Sequence, residues 1–380
     1  MDWQSLAQAL LTNLWGQGVT CTVKDALRDE GRNRVYRLEL RGAPVATVIL
    51  KASLGDEEQP YIVGDDAPWR PFSRFCNEWA GCDMLAPLGL GPKVYAGSLE
   101  HGFYLMEDLE GGESLADRLT GNDPVATTAA LLAYARSLGA LHAATRQQAA
   151  RWLEVRGKLS PHTTLQPDTG FQGDASAFKS MCERYGIIPS NGFDVEIRRI
   201  EAVLLEPGAY LAFSPTDCCP DNHFLRGDRV VFFDCEGATM RHALLDVTYL
   251  LAPFPTCWCT SRLPRDLTPR LLEAYREQFV GESDFETQLT LVLATWIVRT
   301  LTWKWAGDWE VQDHQWGLVS LRQRHLHRLE NLLARDNLET LLPEFARVVS
   351  ELRQTLRSSW TDVQEMPLYP AYASNLESHR

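Results

Sequence analysis

With 380 residues, 45% of them apolar and 23% charged, the chain is long enough for two compact domains, each with its own core, and its composition excludes disordered and fibrous classes. A net charge of −13 argues against a nucleic-acid partner, whose phosphates require clustered Lys and Arg. It leans faintly toward a cationic or neutral ligand and more simply keeps the chain in solution.

The opening MDWQSLAQALLTNLW spaces its apolar residues helically and lacks a basic leader, so it reads as a helix and not as a signal peptide. Residues 19–23, 35–40 and 45–51 alternate in the manner of antiparallel strands. The polar tip at 28–34 holds one glycine, Gly31, where backbone amides can approach a phosphate or simply turn a hairpin. Lys51 closes its apolar strand, a solvated strand end or a phosphate contact. A loop rich in Asp, Gly and Pro covers 54–71, and helical periodicity resumes at 71–85, where Glu78 can reach Lys51 if the helix passes behind the sheet. Strands at 93–98 and 102–106 complete a sheet of about five. Met106-Glu107-Asp108-Leu109-Glu110-Gly111-Gly112 then reads as a linker between domains, which sets the boundary at 1–109 and 110–380. The free backbone of such a linker can pair with an adenine edge.

From Asp123-Pro124, a capped helix runs to 144 with His142 on its apolar stripe, as a packed core histidine. Loops with a short helix at 175–185 occupy 160–192, and a helix spans 194–205. The stretch 211–251 carries Asp217, Asn222 and Asp234 in a D-x4-N-x11-D arrangement, with a hairpin turning at 226–228 and leading to a strand at 230–233. A carboxylate and an amide in one loop, followed by a carboxylate at a strand end, can converge on one Mg2+ and one hydroxyl, the outline of a phosphoryl-transfer site. Helices follow at 266–279, 284–305, 316–334 and 338–356; the apolar run at 289–301 is short for a membrane span and contains Arg299. Trp296, Trp303, Trp305, Trp309 and Trp316 concentrate here, as core or as the wall of a substrate site. Nine cysteines with no export signal point to reduced thiols and a cytoplasmic location, and the spacings around Cys218-Cys219 and Cys257-Trp258-Cys259 are too tight for the usual zinc knuckle.

With these parts in order, the chain resembles the aminoglycoside phosphotransferase and choline kinase family, over most of its length: Lys51 and Glu78, the linker MEDLEGGESL, a helix ending SLGALHAAT, then PTDCCPDN and FFDCEGA. The resemblance implies an α+β, bilobal protein-kinase-like fold, with an N-terminal antiparallel sheet lobe carrying a helix and a larger, mainly helical C-terminal lobe. It implies ATP as co-substrate and Mg2+, and a small-molecule hydroxyl acceptor such as an amino sugar, an aminoglycoside-like antibiotic, an amino alcohol or a sugar. By the same resemblance Asp217 accepts the hydroxyl proton, and Asn222 and Asp234 hold Mg2+. Lys51 braced by Glu78, together with Gly31, Met106, Glu107 and Leu109, binds the nucleotide, and Asp246 supports the catalytic loop or merely caps a helix. Pro215-Thr216 in place of the family's His-Gly, and Cys235 in place of a bulky aromatic, depart from its pattern and, with a nucleotide loop of one glycine, motivate the alternative of a nucleotide-binding scaffold with impaired catalysis. No activation segment follows Asp234, which argues against a protein substrate. Nucleic-acid and membrane partners are not expected, and the sequence is silent on the acceptor, on GTP and on oligomeric state.

Overall fold

The computed structural model describes residues 1–109, 111–161, 163, 165, 170–304 and 306–373. Asp2 accepts a hydrogen bond from the Ser5 amide (3.1 Å) and caps α1 (Trp3–Trp15). Its buried residues Trp3, Ala7 and Leu11, four apart, form one stripe against a five-stranded antiparallel sheet. The strands are β1 (Thr20–Arg28), β2 (Asn33–Arg41), β3 (Thr47–Ser53), β4 (Val94–Ser98) and β5 (Phe103–Glu107), in the spatial order β1-β2-β3-β5-β4. The middle strand, β3, is buried from Val48 onward because both its faces are covered. Val48, Leu50 and Ala52 pack with α1, so the alternation of the strand turns Lys51 to the other face, where α2 (Pro71–Leu85) crosses. Pro71 at the first helical position starts α2 where the sequence places it.

Beyond the linker come α3 (Leu115–Thr120), α4 (Pro124–Thr145), α5 (Ala149–Gly157), α6 (Phe171–Arg184) and α7 (Asn191–Leu205). Two short antiparallel pairs follow, β6 (Leu211–Ser214) with β9 (Thr239–His242), and between them β7 (His223–Arg226) with β8 (Arg229–Phe232). The remaining α-helices are α8 (Leu244–Val247), α9 (Leu267–Arg276), α10 (Phe285–Thr302), α11 (Leu321–Leu333), α12 (Leu338–Leu341), α13 (Pro343–Ser359) and α14 (Pro370–Ala373). α10 is buried all round from Leu289 to Leu301 and forms the axis of this lobe, flanked by α6, α7 and α11. The apolar run is therefore a core helix, and among the described residues no helix is long and apolar enough to cross a membrane. The architecture is the expected bilobal, protein-kinase-like α+β fold.

Three expectations change. The helix expected at 338–356 divides at Leu342, because Pro343 withdraws an amide and forces the preceding residue out of helical geometry (φ −139°, ψ 62°). The helix expected from Trp316 starts only at Leu321; Trp316 instead pairs with Val319 in a tight hairpin whose Gly317 (φ 66°) leaves no room for a Cβ, the Trp258 carbonyl lying 1.8 Å from where one would stand. The thiols are not all reduced: Cys219 and Cys257 form a disulfide, their Cα atoms 5.6 Å apart, while seven others are free and buried. Trp305 and Glu110 lie outside the described residues, as do six positions of the 160–192 loop.

Candidate functional site

The register of two hairpins assembles the centre. His223 pairs with Phe232 in β7–β8, so Asn222 and Asp234 leave the same end of that hairpin, and the Phe233 amide donates to the Asn222 carbonyl (3.1 Å). β6 pairs with β9 around the outside, Ser214 opposite Thr239, which confines the loops 215–222 and 233–238 to one floor. The Asn222 side-chain amide donates to the Asp217 carbonyl (3.3 Å), leaving its own oxygen for the cleft. Asp217 is open to water at this floor, yet it is surrounded closely enough that desolvation, with the charges of Asp234 and Asp221, pushes its carboxyl up to about 6. Its neighbour Asp234 behaves oppositely: burial opposes its charge, but the Lys51 ammonium, and more remotely Arg32 and Arg28, hold it below the usual carboxylate range.

Lys51 is the bridge between the lobes. Its Nζ donates to Glu78 on α2 and to Asp234 Oδ1 at 2.8 Å. Burial alone would depress this ammonium; Asp234 and Glu78 reverse that and hold it well above the ordinary lysine value. Burial lifts Glu78 to about 7 against the pull of Lys51. The three groups thus form a line from α2 through β3 to the loop after β8, buried at Glu78 and Lys51 and partly open at Asp234. The hairpin tip carrying Gly31 (φ 77°) closes above it, its neighbour Arg32 pairing with Glu236 two residues beyond Asp234.

Asp246 is not a helix cap; Ala243 occupies that place. It is fully buried and accepts hydrogen bonds from Ser214 Oγ (2.9 Å), from Arg241 and from His142 Nε2 (3.1 Å). Desolvation opposes its charge, but Arg241 and His142 drive its carboxyl down to about 2. Arg241 also donates to the Thr216 carbonyl (3.2 Å), and Ser214 Oγ accepts from the Thr216 amide (2.9 Å), so Asp246 fixes the backbone just before Asp217 through two intermediaries. His142 is the packed core histidine expected, with Tyr275 on its second nitrogen (2.9 Å). Ser214 and Arg241 escaped the reading of the sequence; an arginine midway between two acidic motif positions was the available signal.

Both departures from the family pattern are accommodated by glycines. Thr216 sits at φ 68°, unusual for a β-branched residue, and Gly237 opposite leaves it space, since a Cβ there would fall 2.2 Å from Thr216 Oγ1. Cys235 packs on Gly81 of α2, where an added Cβ would lie 2.6 Å from the Cys235 Cβ. The linker end of the cleft opens into a cavity of about 460 Å³ lined by Asp108, Leu109, Gly111, Gly112, Phe224 and Val231. Leu109 thus borders it, whereas Met106 and Glu107 lie behind, at the end of β5; the Glu107 amide donates to Lys93 (2.8 Å) and its carboxylate pairs with Arg226 (3.2 Å). Asp234 and Asn222 offer hard oxygen donors, the set that Mg2+ prefers.

The model of the phosphotransferase enzyme family matches residues 32–286. Among solved structures, a choline/ethanolamine kinase family protein from Mesorhizobium loti is 14% identical, with 92% of this chain and 99% of that one covered and a TM-score of 0.45. An aminoglycoside phosphotransferase from Alicyclobacillus acidocaldarius is 13% identical, with 92% and 96% covered and a TM-score of 0.45. A choline kinase from Streptococcus pneumoniae is 12% identical, with 94% and 100% covered and a TM-score of 0.43. No curated protein matches the sequence significantly.

Proposed function

The chain belongs to the phosphotransferase enzyme family and is a small-molecule kinase, and on that premise we propose that it moves the γ-phosphoryl group of ATP to a hydroxyl of a small acceptor. The observation that carries this reading is the Glu78–Lys51–Asp234 line, which ends beside Asp217 and Asn222 in a single cleft. In this reading the sheet lobe, 1–109, binds the nucleotide and the helical lobe, 110–380, supplies catalytic loop, metal motif and acceptor pocket. Lys51 exchanges its contact with Asp234 for phosphate oxygens, and Glu78 keeps the ammonium aimed. The Glu107 and Leu109 backbone reads the adenine, with Met106 behind it and Gly31 above the phosphates. Asp217, partly protonated only near pH 6, is a carboxylate at neutral pH and accepts the proton of the attacking hydroxyl. Asn222 and Asp234 would hold Mg2+, which neutralises phosphate charge when bound.

Two of the features that motivated an impaired scaffold, Thr216 and Cys235, each face a glycine that makes room for them, Gly237 and Gly81. The reading keeps the protein in the cytoplasm, where the Cys219–Cys257 pair is the feature to examine under reducing conditions. The deciding experiment is an ADP-release assay over hydroxylated metabolites and aminoglycosides, with nucleotide affinity measured alongside. Asp234→Ala is expected to abolish Mg-dependent nucleotide binding. Asp217→Ala is expected to spare it while turnover falls by roughly three orders of magnitude, the loss of a positioned base together with its charge. Unchanged binding in Asp234→Ala, or unchanged turnover in Asp217→Ala, defeats the assignment.

A further inference from the structure

A second cavity lies between the end of α10, the start of α11 and Pro255, lined by Pro255, Trp303, Trp316, Arg324, His325 and Arg328 among others. About 20 Å³ of it is open to the centre of a water molecule, enough for one small polar group. Its charge is unusual for this molecule. Among the described residues five lysines and arginines are buried, and three have a carboxylate: Lys51 with Glu78 and Asp234, Arg156 with Asp66, Arg299 with Asp174. The other two, Arg324 and Arg328, are 1% and 4% exposed and hydrogen-bond only to carbonyl groups.

These two arginines divide the work. Arg324 is largely occupied, donating to the carbonyls of Cys257 (2.6 Å), Trp258 (3.2 Å) and Trp316 while lying over the Trp316 ring. Arg328 donates only one nitrogen, Nη2, to the Pro255 carbonyl (2.6 Å). Desolvation, with Arg324 beside it, pulls Arg328 down to about 9, so it remains cationic at neutral pH with no counter-charge. Between them on α11, His325 is 3% exposed and both its ring nitrogens lack a hydrogen-bond partner. Burial and the two arginines hold it neutral, so it offers one N–H and one lone pair. A buried cation beside an unsatisfied imidazole is costly unless something anionic enters.

Cys257 ties the residues around this cavity to the loop that carries Asp217. Its carbonyl is the Arg324 acceptor, its sulfur is bonded to Cys219, and both sulfurs lie within 4.8 Å of an Asp217 carboxylate oxygen. We propose that this cavity is the acid subsite of the phosphoryl acceptor: the carboxylate of a small hydroxy acid lies on Arg328 and His325 while its hydroxyl faces Asp217. The assignment rests on the phosphotransferase reading of the cleft and narrows its acceptor from a cationic or neutral compound to an acidic one. A carboxylate suits the space and the planar fork of a guanidinium better than a bulkier phosphate. In this placement the carbon skeleton lies against Trp303 and Trp316, which line the cavity.

Tryptophan fluorescence of the full chain, titrated with D-glycerate, glyceramide, ethanolamine and inorganic phosphate, tests the subsite without turnover. The expected result is that glycerate binds at least about tenfold more tightly than the other three, as a charge-assisted bidentate contact should allow. Arg328→Gln should abolish the preference and Arg328→Lys should retain part of it. Glyceramide, ethanolamine or phosphate binding as tightly as glycerate overturns the proposal, as does the absence of glycerate binding, or Arg328→Gln titrating like the parent. Should Arg328→Gln not fold, the comparison of ligands on the parent protein still decides. Failure of the kinase reading appears separately, as loss of Mg-dependent ATP binding or of all ADP release while the glycerate preference persists.

Discussion

Asp217 and Thr216 are adjacent, and both carry a cost that the fold tolerates. The raised carboxyl of Asp217 means that its charge is unfavourable in the folded chain relative to the unfolded one. Between the unfolded value near 3.8 and the folded value of about 6 the native state binds the extra proton, so the penalty is absent below this window and complete above it. Asp217→Asn is therefore expected to raise Tm at pH 7.5, with the gain vanishing by about pH 4, while turnover is lost. A carboxyl NMR titration against that variant should show a midpoint near 6 that moves down when Mg2+ and nucleotide are added. Thr216 stores strain of another kind, about 1–2 kcal/mol for a β-branched residue at positive φ. Gly237→Ala should cost about 1–3 kcal/mol through collision with Thr216 Oγ1, and Thr216→Gly in the same chain should recover most of it. Additive losses in urea unfolding would show that the two residues are not coupled.

At the scale of elements, the position of α2 decides whether Lys51 is aimed. Glu78 and Gly81 are three apart on one face of the helix, so the contact that seats Gly81 on Cys235 also sets the distance from Glu78 to Lys51. Restoring an aromatic by Cys235→Phe should therefore cost about 3 kcal/mol and weaken nucleotide binding, because neither Gly81 nor Ala238 can retreat. Nucleotide titration and a denaturation midpoint on the same variant check both halves. Part of this element was legible beforehand: the apolar spacing at 71–85 follows from local periodicity, and Glu78 within it is the expected partner of Lys51. The Pro343 break was missed although it is a local effect: the apolar spacing of 338–356 continues across a proline that acts on its own neighbours. The Gly81–Cys235 match was not legible, because a glycine in a helix has no visible partner until a residue 154 positions later packs on it. The same holds for Asp246, whose helix-cap and loop-support readings differ only through His142 and Arg241, and for Arg328, whose missing carboxylate is a property of the packed lobe alone.

For the molecule as a whole, the disulfide makes a connection that no helix or strand provides. Cys219 lies between Asp217 and Asn222, and Cys257 lies in the segment whose carbonyls Arg324 and Arg328 hold. The bond thus joins the floor that carries Asp217 and Asn222 to the wall of the second cavity across 38 residues of sequence. Constraining a loop of that length in the unfolded chain contributes at most about 4 kcal/mol. Reduction is expected to lower Tm accordingly, and Cys257→Ser should reproduce the fall and be insensitive to reductant. Function should respond unevenly. Lys51, Glu78 and Asp234 owe their positions to β3, α2 and the β7–β8 hairpin, so nucleotide affinity should stay within about twofold, as for sites that share no partner. The acceptor KM should rise, because the cavity wall is then free to move relative to Asp217. Measuring both constants with and without reductant separates the outcomes: equal loss of nucleotide and acceptor binding would mean that the bond holds the whole cleft, and no loss of either would mean that Arg324 alone fixes the 257–258 carbonyls.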